Sequence, residues 1–187
     1  MWEEKAAGKR CGSLLKLKIS VLKYKQVLGI NDLVFIQHLT FNIQHFTLSS
    51  IINTSNASTP LGAYPHARKV GNLLFLSGIG PRNPADNSIP GLKLDGEGNI
   101  LSYDIAAECH AVFANVKAVL EASGSSWDQM VDVTVFLTHM QKDFPVYNKI
   151  YGEYFSSVQA CRTTVEVKSL PTPISIELKV IATLKES

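Results

Sequence analysis

A chain of 187 residues with 45% hydrophobic and 18% charged residues is long enough to bury one real core and too apolar to be disordered. The net charge of +2 hides an uneven spread: residues 1–57 carry seven Lys/Arg against three Asp/Glu, and residues 58–187 carry eleven against thirteen. The larger part is therefore mildly acidic and lacks the basic stripe that grips phosphate backbones, which argues against nucleic acid as a main partner.

In chain order, "LLKLKISVLKYK" alternates as a strand would, and "INDLVFIQHLTFNIQHFTLSSII" is apolar but broken by Asp32, Asn42, glutamines and histidines. Such interruptions exclude a membrane span. A basic leader poor in acids has the flavour of an organelle transit peptide, although arginine is scarce. Residues 1–57 read as an extension of little structure, set apart from a domain over 58–187.

From Ser58 the pattern is orderly. "HARKVGNLLFLSG" gives two short strands about Gly71-Asn72, a hairpin signal. A turn-rich loop, "GPRNPADNSIPG", and a second turn at "DGEGN" follow. "SYDIAAECHAVFANVKAVLEASG" reads as an amphipathic helix, with Ile105, Cys109, Val112, Phe113, Val116 and Leu120 on one stripe and Gly124 ending it. "MVDVTVFLTHM" is a strand with Val131, Val133, Val135 and Leu137 on one face. "KDFPVYNKIYGEYF" is a second helix, with Asp143 expected as N-cap, Pro145 in the first turn, and Tyr147, Ile150, Tyr151 and Tyr154 buried. "CRTTVEVKSLPTPISIELKVIA" closes the chain as two strands around a proline-bracketed turn, with Ile174, Ile176, Leu178 and Val180 on one face.

The order ββαβαββ, with helices covering one face of a sheet, predicts an α+β two-layer sandwich. The other face is mixed and lacks cover, so an oligomer is expected. Cys11, Cys109 and Cys161 are odd in number without CxxC spacing, which suits a reducing, cytoplasmic setting and neither a disulfide framework nor zinc. The histidines lack metal-ligand spacing, so no metal is expected. Two sequons, at Asn53 and Asn56, matter only in a secreted protein, and no signal peptide precedes them. "SGIG" is followed by "PRNP" and not by a helix, which removes a dinucleotide loop.

Arg162 at the start of one closing strand and Glu177 in the middle of the other are costly charges unless they are paired or line a polar cavity. The segments "GAYPHARKVGNLLFLSG", "VDVTVFLTHMQKDFPVYNKIYGEYF" and "RTTVEVKSLPTPISIELKVIA", from about Gly62 onward, resemble the reactive-intermediate deaminase (Rid, or YjgF-type) family. The resemblance implies a chorismate-mutase-like fold and a cofactor-free homotrimer with its sheets facing inward and its sites between subunits. "PHARKVGN", "RTTVEV", "LPTP" and "IELKV" look most like 2-aminomuconate deaminase. General 2-iminobutanoate deaminases usually carry a cysteine where this chain has Thr164.

Imine hydrolysis needs a grip on the substrate carboxylate, a proton route and a positioned water. Arg162 suits the first through its planar bidentate fork, and Glu177 suits the others as a carboxylate in a partly dry cleft. Carried over from the resemblance, Tyr64 closes a neighbour's pocket, Ser77 and Gly78 present backbone to the substrate, and Asn148 and Thr164 lie near it. Arg82 is a candidate for the far carboxylate of a dicarboxylate, and His66 for protonating an enamine carbon. The leading reading is a hydrolytic deaminase of small carboxylate-bearing enamines or imines. Its rivals are a general 2-iminobutanoate/2-iminopropanoate deaminase, a non-catalytic ligand-binding trimer, and a ribonuclease, which the acidic domain disfavours.

Overall fold

The computed structural model describes residues 49–184. The expectations for residues 1–48, including Cys11 and both apolar stretches before Ser49, lie outside the described residues. A six-stranded sheet is assembled from β1 (Ser50–Ile52), β2 (Ala67–Val70), β3 (Leu73–Leu76), β6 (Met130–Leu137), β7 (Cys161–Glu166) and β8 (Ile176–Thr183), in the order β1-β2-β3-β8-β6-β7. A small hairpin, β4 (Lys93–Leu94) with β5 (Ile100–Ser102), stands apart from it. The sheet thus reaches back to Ser50, inside the segment that the composition sets apart.

The hairpin at Gly71-Asn72 forms as expected, and Gly71 takes a φ of +62°, which costs a residue without a Cβ little. The β4–β5 turn is held by Asp95, whose carboxylate accepts from the Glu97 and Asn99 backbone N–H groups. Two helices, α1 (Ile105–Ala122) and α2 (Met140–Phe155), pack on each other and on one face of the sheet, giving the expected α+β two-layer sandwich.

All six predicted residues of the α1 stripe are buried. Asp104 caps that helix by accepting from the Ala106 and Ala107 N–H groups. The helix layer meets Leu74 and Leu76 of β3, Val133, Val135 and Leu137 of β6, and Ile176, Leu178 and Val180 of β8.

Three local expectations are corrected. Val131 is 46% exposed because a bulge between Met130 and Asp132 shifts the register and puts Met130 inward instead. The second helix starts at Met140, not after Asp143; the Met140 N–H is satisfied by Glu166 Oε2 of β7 at 2.6 Å, a cap supplied from distant sequence. Asp143 is fully buried inside the helix, where its carboxylate accepts from the Tyr103 hydroxyl at 2.9 Å. Tyr154 is exposed, and Phe155 takes its place in the core.

The closing strands also do not pair with each other. β6 lies between them, antiparallel to β8 and parallel to β7, with α2 as the crossover that a parallel pair requires.

Candidate active site

The register decides where the two charges point. Arg162 stands opposite Val133 and Thr164 opposite Val135, both positions that face the helices. Glu177 stands opposite Phe136, on the other face. Directly opposed residues in neighbouring strands share a face. The expectation that Arg162 and Glu177 share a pocket therefore fails within one chain: the sheet separates them.

On the helix side, Arg162 Nη1 donates to Asn148 Oδ1 at 2.9 Å. Its guanidinium carbon lies 4.6 Å from the Tyr151 ring centre, 5.8 Å from Tyr147 and 6.0 Å from Phe144. The ion pair found among the described residues is Lys117–Glu121, so Arg162 has no carboxylate partner there. Asn148, expected near substrate, makes its contact with the arginine. The Thr164 and Tyr147 hydroxyls lie against each other without closing a well-formed hydrogen bond. Burial raises the pKa of the Tyr147 and Tyr151 hydroxyls above the usual phenol value, while the nearby Arg162 charge opposes this.

On the opposite face, Glu177 lines a small cavity of about 40 Å³ with Tyr64, Ser77, Gly78 and Arg82. Within a single copy that space holds only a few waters. The Glu177 carboxylate accepts no hydrogen bond among the described residues, and its partial burial alone raises its pKa above the ordinary carboxylate value. A Cβ at Gly78 would overlap Glu177 Oε1 and lie 2.8 Å from its Cδ, so glycine is what lets the carboxylate lie against the backbone there.

Ser77 donates from Oγ to the Pro65 carbonyl at 2.6 Å, which makes its hydroxyl a brace for the loop before β2. Tyr64 is 47% exposed, with its hydroxyl accepting from the Leu61 N–H. Arg82 donates from Nη1 to Asn87 Oδ1 and from Nη2 to the Thr59 carbonyl, both at 2.8 Å, leaving its Nε–H and a second N–H on each Nη free.

His66 is 4% exposed and has both ring nitrogens engaged. Its Nδ1 accepts from the Thr54 N–H at 3.3 Å, and its Nε2 lies 3.0 Å from the Ser58 carbonyl, which assigns the neutral Nε2–H tautomer. Its own N–H donates to Asn53 Oδ1. The ring clamps residues 53–58 and has no nitrogen left for an enamine carbon.

Sequence reasoning missed Tyr147 and Tyr151 as neighbours of the arginine, assigning them to the core alone. Their signal was present: Tyr147 and Tyr151 are four apart, Asn148 lies between them, and residues three or four apart share a helix face. Among the described residues there is no group of three metal-ligating side chains, and no helix is long and apolar enough to cross a membrane.

An α+β sandwich with an unpaired arginine and an unpaired glutamate on its two sheet faces defines the class. The chain belongs to the endoribonuclease L-PSP family, which it matches over residues 54–184. It is 38% identical over 135 residues to a RutC family protein of Pyrococcus horikoshii, spanning 72% of this chain and 98% of that one. It is 33% identical over 135 residues to the chloroplastic Reactive Intermediate Deaminase A of Arabidopsis thaliana, spanning 72% of this chain and 65% of the relative. Among solved structures, E. coli TdcF with bound serine superposes with a TM-score of 0.62 at 29% identity, covering 73% of this chain and 99% of the other.

Proposed function

We propose that the protein is a hydrolytic deaminase of small carboxylate-bearing imines and enamines, working as a homotrimer whose sites form between copies. What supports this reading is the family match, with a relative named as a reactive intermediate deaminase, together with an Arg162 and a Glu177 that lack an ion-pair partner among the described residues; since one copy holds them on opposite faces of its sheet, a shared site requires two copies. One chain supplies each copy with half a site twice over: a cation seeking an anion and a carboxyl group seeking a cation-bearing cleft. The relative named as a reactive intermediate deaminase, and a solved relative holding an amino acid, point to the same chemistry.

In this reading the substrate carboxylate takes the free edge of the Arg162 fork. Glu177 of the neighbouring copy first gives a proton to the enamine carbon, forming the imine. It then takes a proton from water as the water oxygen attacks the C=N carbon. Passing that proton to nitrogen lets the C–N bond break and ammonia leave, while the carbinolamine hydroxyl returns its proton to Glu177 as the carbonyl forms, so that the carboxyl group ends the cycle as it began. A carboxyl group whose pKa is raised by burial suits both tasks, because it holds and yields a proton closer to neutrality than a free one.

The finer substrate class is the 2-aminomuconate type. Thr164 at the position of the general deaminases' cysteine favours it, and so does Arg82 beside Glu177, whose free Nε can meet the far end of a dicarboxylate. The ribonuclease reading attached to the family's description has no cationic stripe in residues 58–187 to support it.

Complementation tests the proposal. Arg162→Ala and Glu177→Gln should each lose ammonia release from 2-iminobutanoate and 2-aminomuconate, and trimers reassembled from a mixture of the two variants should regain part of it. Mixed trimers as inactive as their parents, or RNA cleavage that survives Arg162→Ala, would remove it.

A further inference from the structure

The side chain of Arg162 is held by an aromatic ring beneath its guanidinium and by one hydrogen bond at its edge. Tyr151 is 8% exposed, and its ring is stacked on Phe155 with centres 3.9 Å apart and planes 3° apart, so its position is fixed by the core. The ring lies 4.6 Å from the guanidinium carbon, inside the range over which an aromatic face attracts a cation. Asn148, three residues earlier on the same helix, takes one N–H from Nη1. A guanidinium has five N–H donors in one plane. Contact with the ring uses none of them, Asn148 uses one, and the Tyr147 hydroxyl lies close enough to engage another, which leaves the rest of the fork free. A carboxylate partner would have fixed the side chain by occupying the very fork that a substrate must use. Here the plane is fixed and the fork is left open.

We propose that Tyr151 is a positioning residue that aims Arg162 at the substrate carboxylate through its ring face, an inference that rests on Arg162 being the carboxylate anchor. The ring carries this role and the hydroxyl does not. The Tyr151 hydroxyl has no hydrogen-bond partner, so its removal leaves nothing unpaired.

The experiment measures binding of 2-oxobutanoate, a stable carboxylate probe, alongside ammonia release by the full chain. Tyr151→Leu should weaken binding about tenfold and raise KM in parallel with kcat little changed, whereas Tyr151→Phe should stay within about twofold of the parent. A purely packing role would lower thermal stability in Tyr151→Leu without this split, with probe binding by the folded variant equal to the parent's and phenylalanine restoring stability alone. Equal binding by Tyr151→Leu and the parent overturns the inference. So does a parent that does not bind the probe, which removes Arg162 as anchor as well. A parent that binds the probe yet releases no ammonia from either substrate overturns the deaminase reading alone, and the binding ratio still decides the role of Tyr151. Should Tyr151→Leu fail to fold, the parent itself answers: the Arg162 side-chain protons must show an upfield ring-current shift in NMR, and ordinary shifts overturn the proposal.

Discussion

The two faces of the sheet treat their charges in different ways. On the helix side Arg162 is exposed but mechanically restrained, lying over Tyr151 and tied to Asn148. On the far side Glu177 is half-buried and unrestrained, held neither by a donor nor by a cation, with only the missing side chain of Gly78 making room for it. An anchor gains from a fixed direction and from water around its open edge. A proton carrier gains from dryness, which narrows the gap between its two protonation states at working pH. The difference is that one charge is governed by restraint and the other by desolvation.

The largest effect should come from breaking the restrained half. Arg162→Ala should lower kcat/KM by about 10³-fold on monocarboxylic and dicarboxylic substrates alike, since loss of a charge pair's partner costs several kcal/mol. A loss confined to one substrate would break the comparison.

The desolvated half is next. Glu177→Gln should lower kcat by about 10²-fold and flatten the alkaline limb of the pH–rate profile with the enamine substrate. It should also sharpen the contrast through stability. The folded-state pKa of Glu177 lies above its unfolded value, so its contribution is favourable below the unfolded pKa and is lost as pH rises through the folded one. Thermal denaturation should therefore find Glu177→Gln as stable as the parent or more so at neutral pH, with the advantage vanishing in acid. A variant that is less stable at neutral pH would show that Glu177 is charge-paired and not merely desolvated.

The smallest effect probes the rim. Arg82→Ala should raise KM severalfold for 2-aminomuconate and leave 2-iminobutanoate unchanged, as steady-state kinetics on both would show. Equal effects on both would reduce Arg82 to a brace for Thr59 and Asn87.

Most of the fold was legible because it rests on local periodicity. The α1 stripe and the alternation of β8 survive in the structure residue by residue. What was not legible depends on partners far along the chain. The start of α2 is set by Glu166, twenty-six positions after the N–H it caps, and local pattern favoured Asp143 beside Pro145. "LPTP" looked like the turn of a hairpin, yet β6 intervenes, and that single strand turns a shared pocket into two separated halves. The identities of Arg162 and Glu177 could be singled out as charges in strands. Their faces could not, because a face follows from register, and register follows from which strand is the neighbour.

The strand that carries Glu177 comes last in sequence among the described strands and is among the innermost placed, with β3 on one side and β6 on the other. Until it arrives, the sheet exists as two fragments with an open seam. β8 joins β3 on one side to β6 on the other, partners far apart in sequence, so closing the sheet is a long-range step, and weakening this one strand opens two strand edges at once.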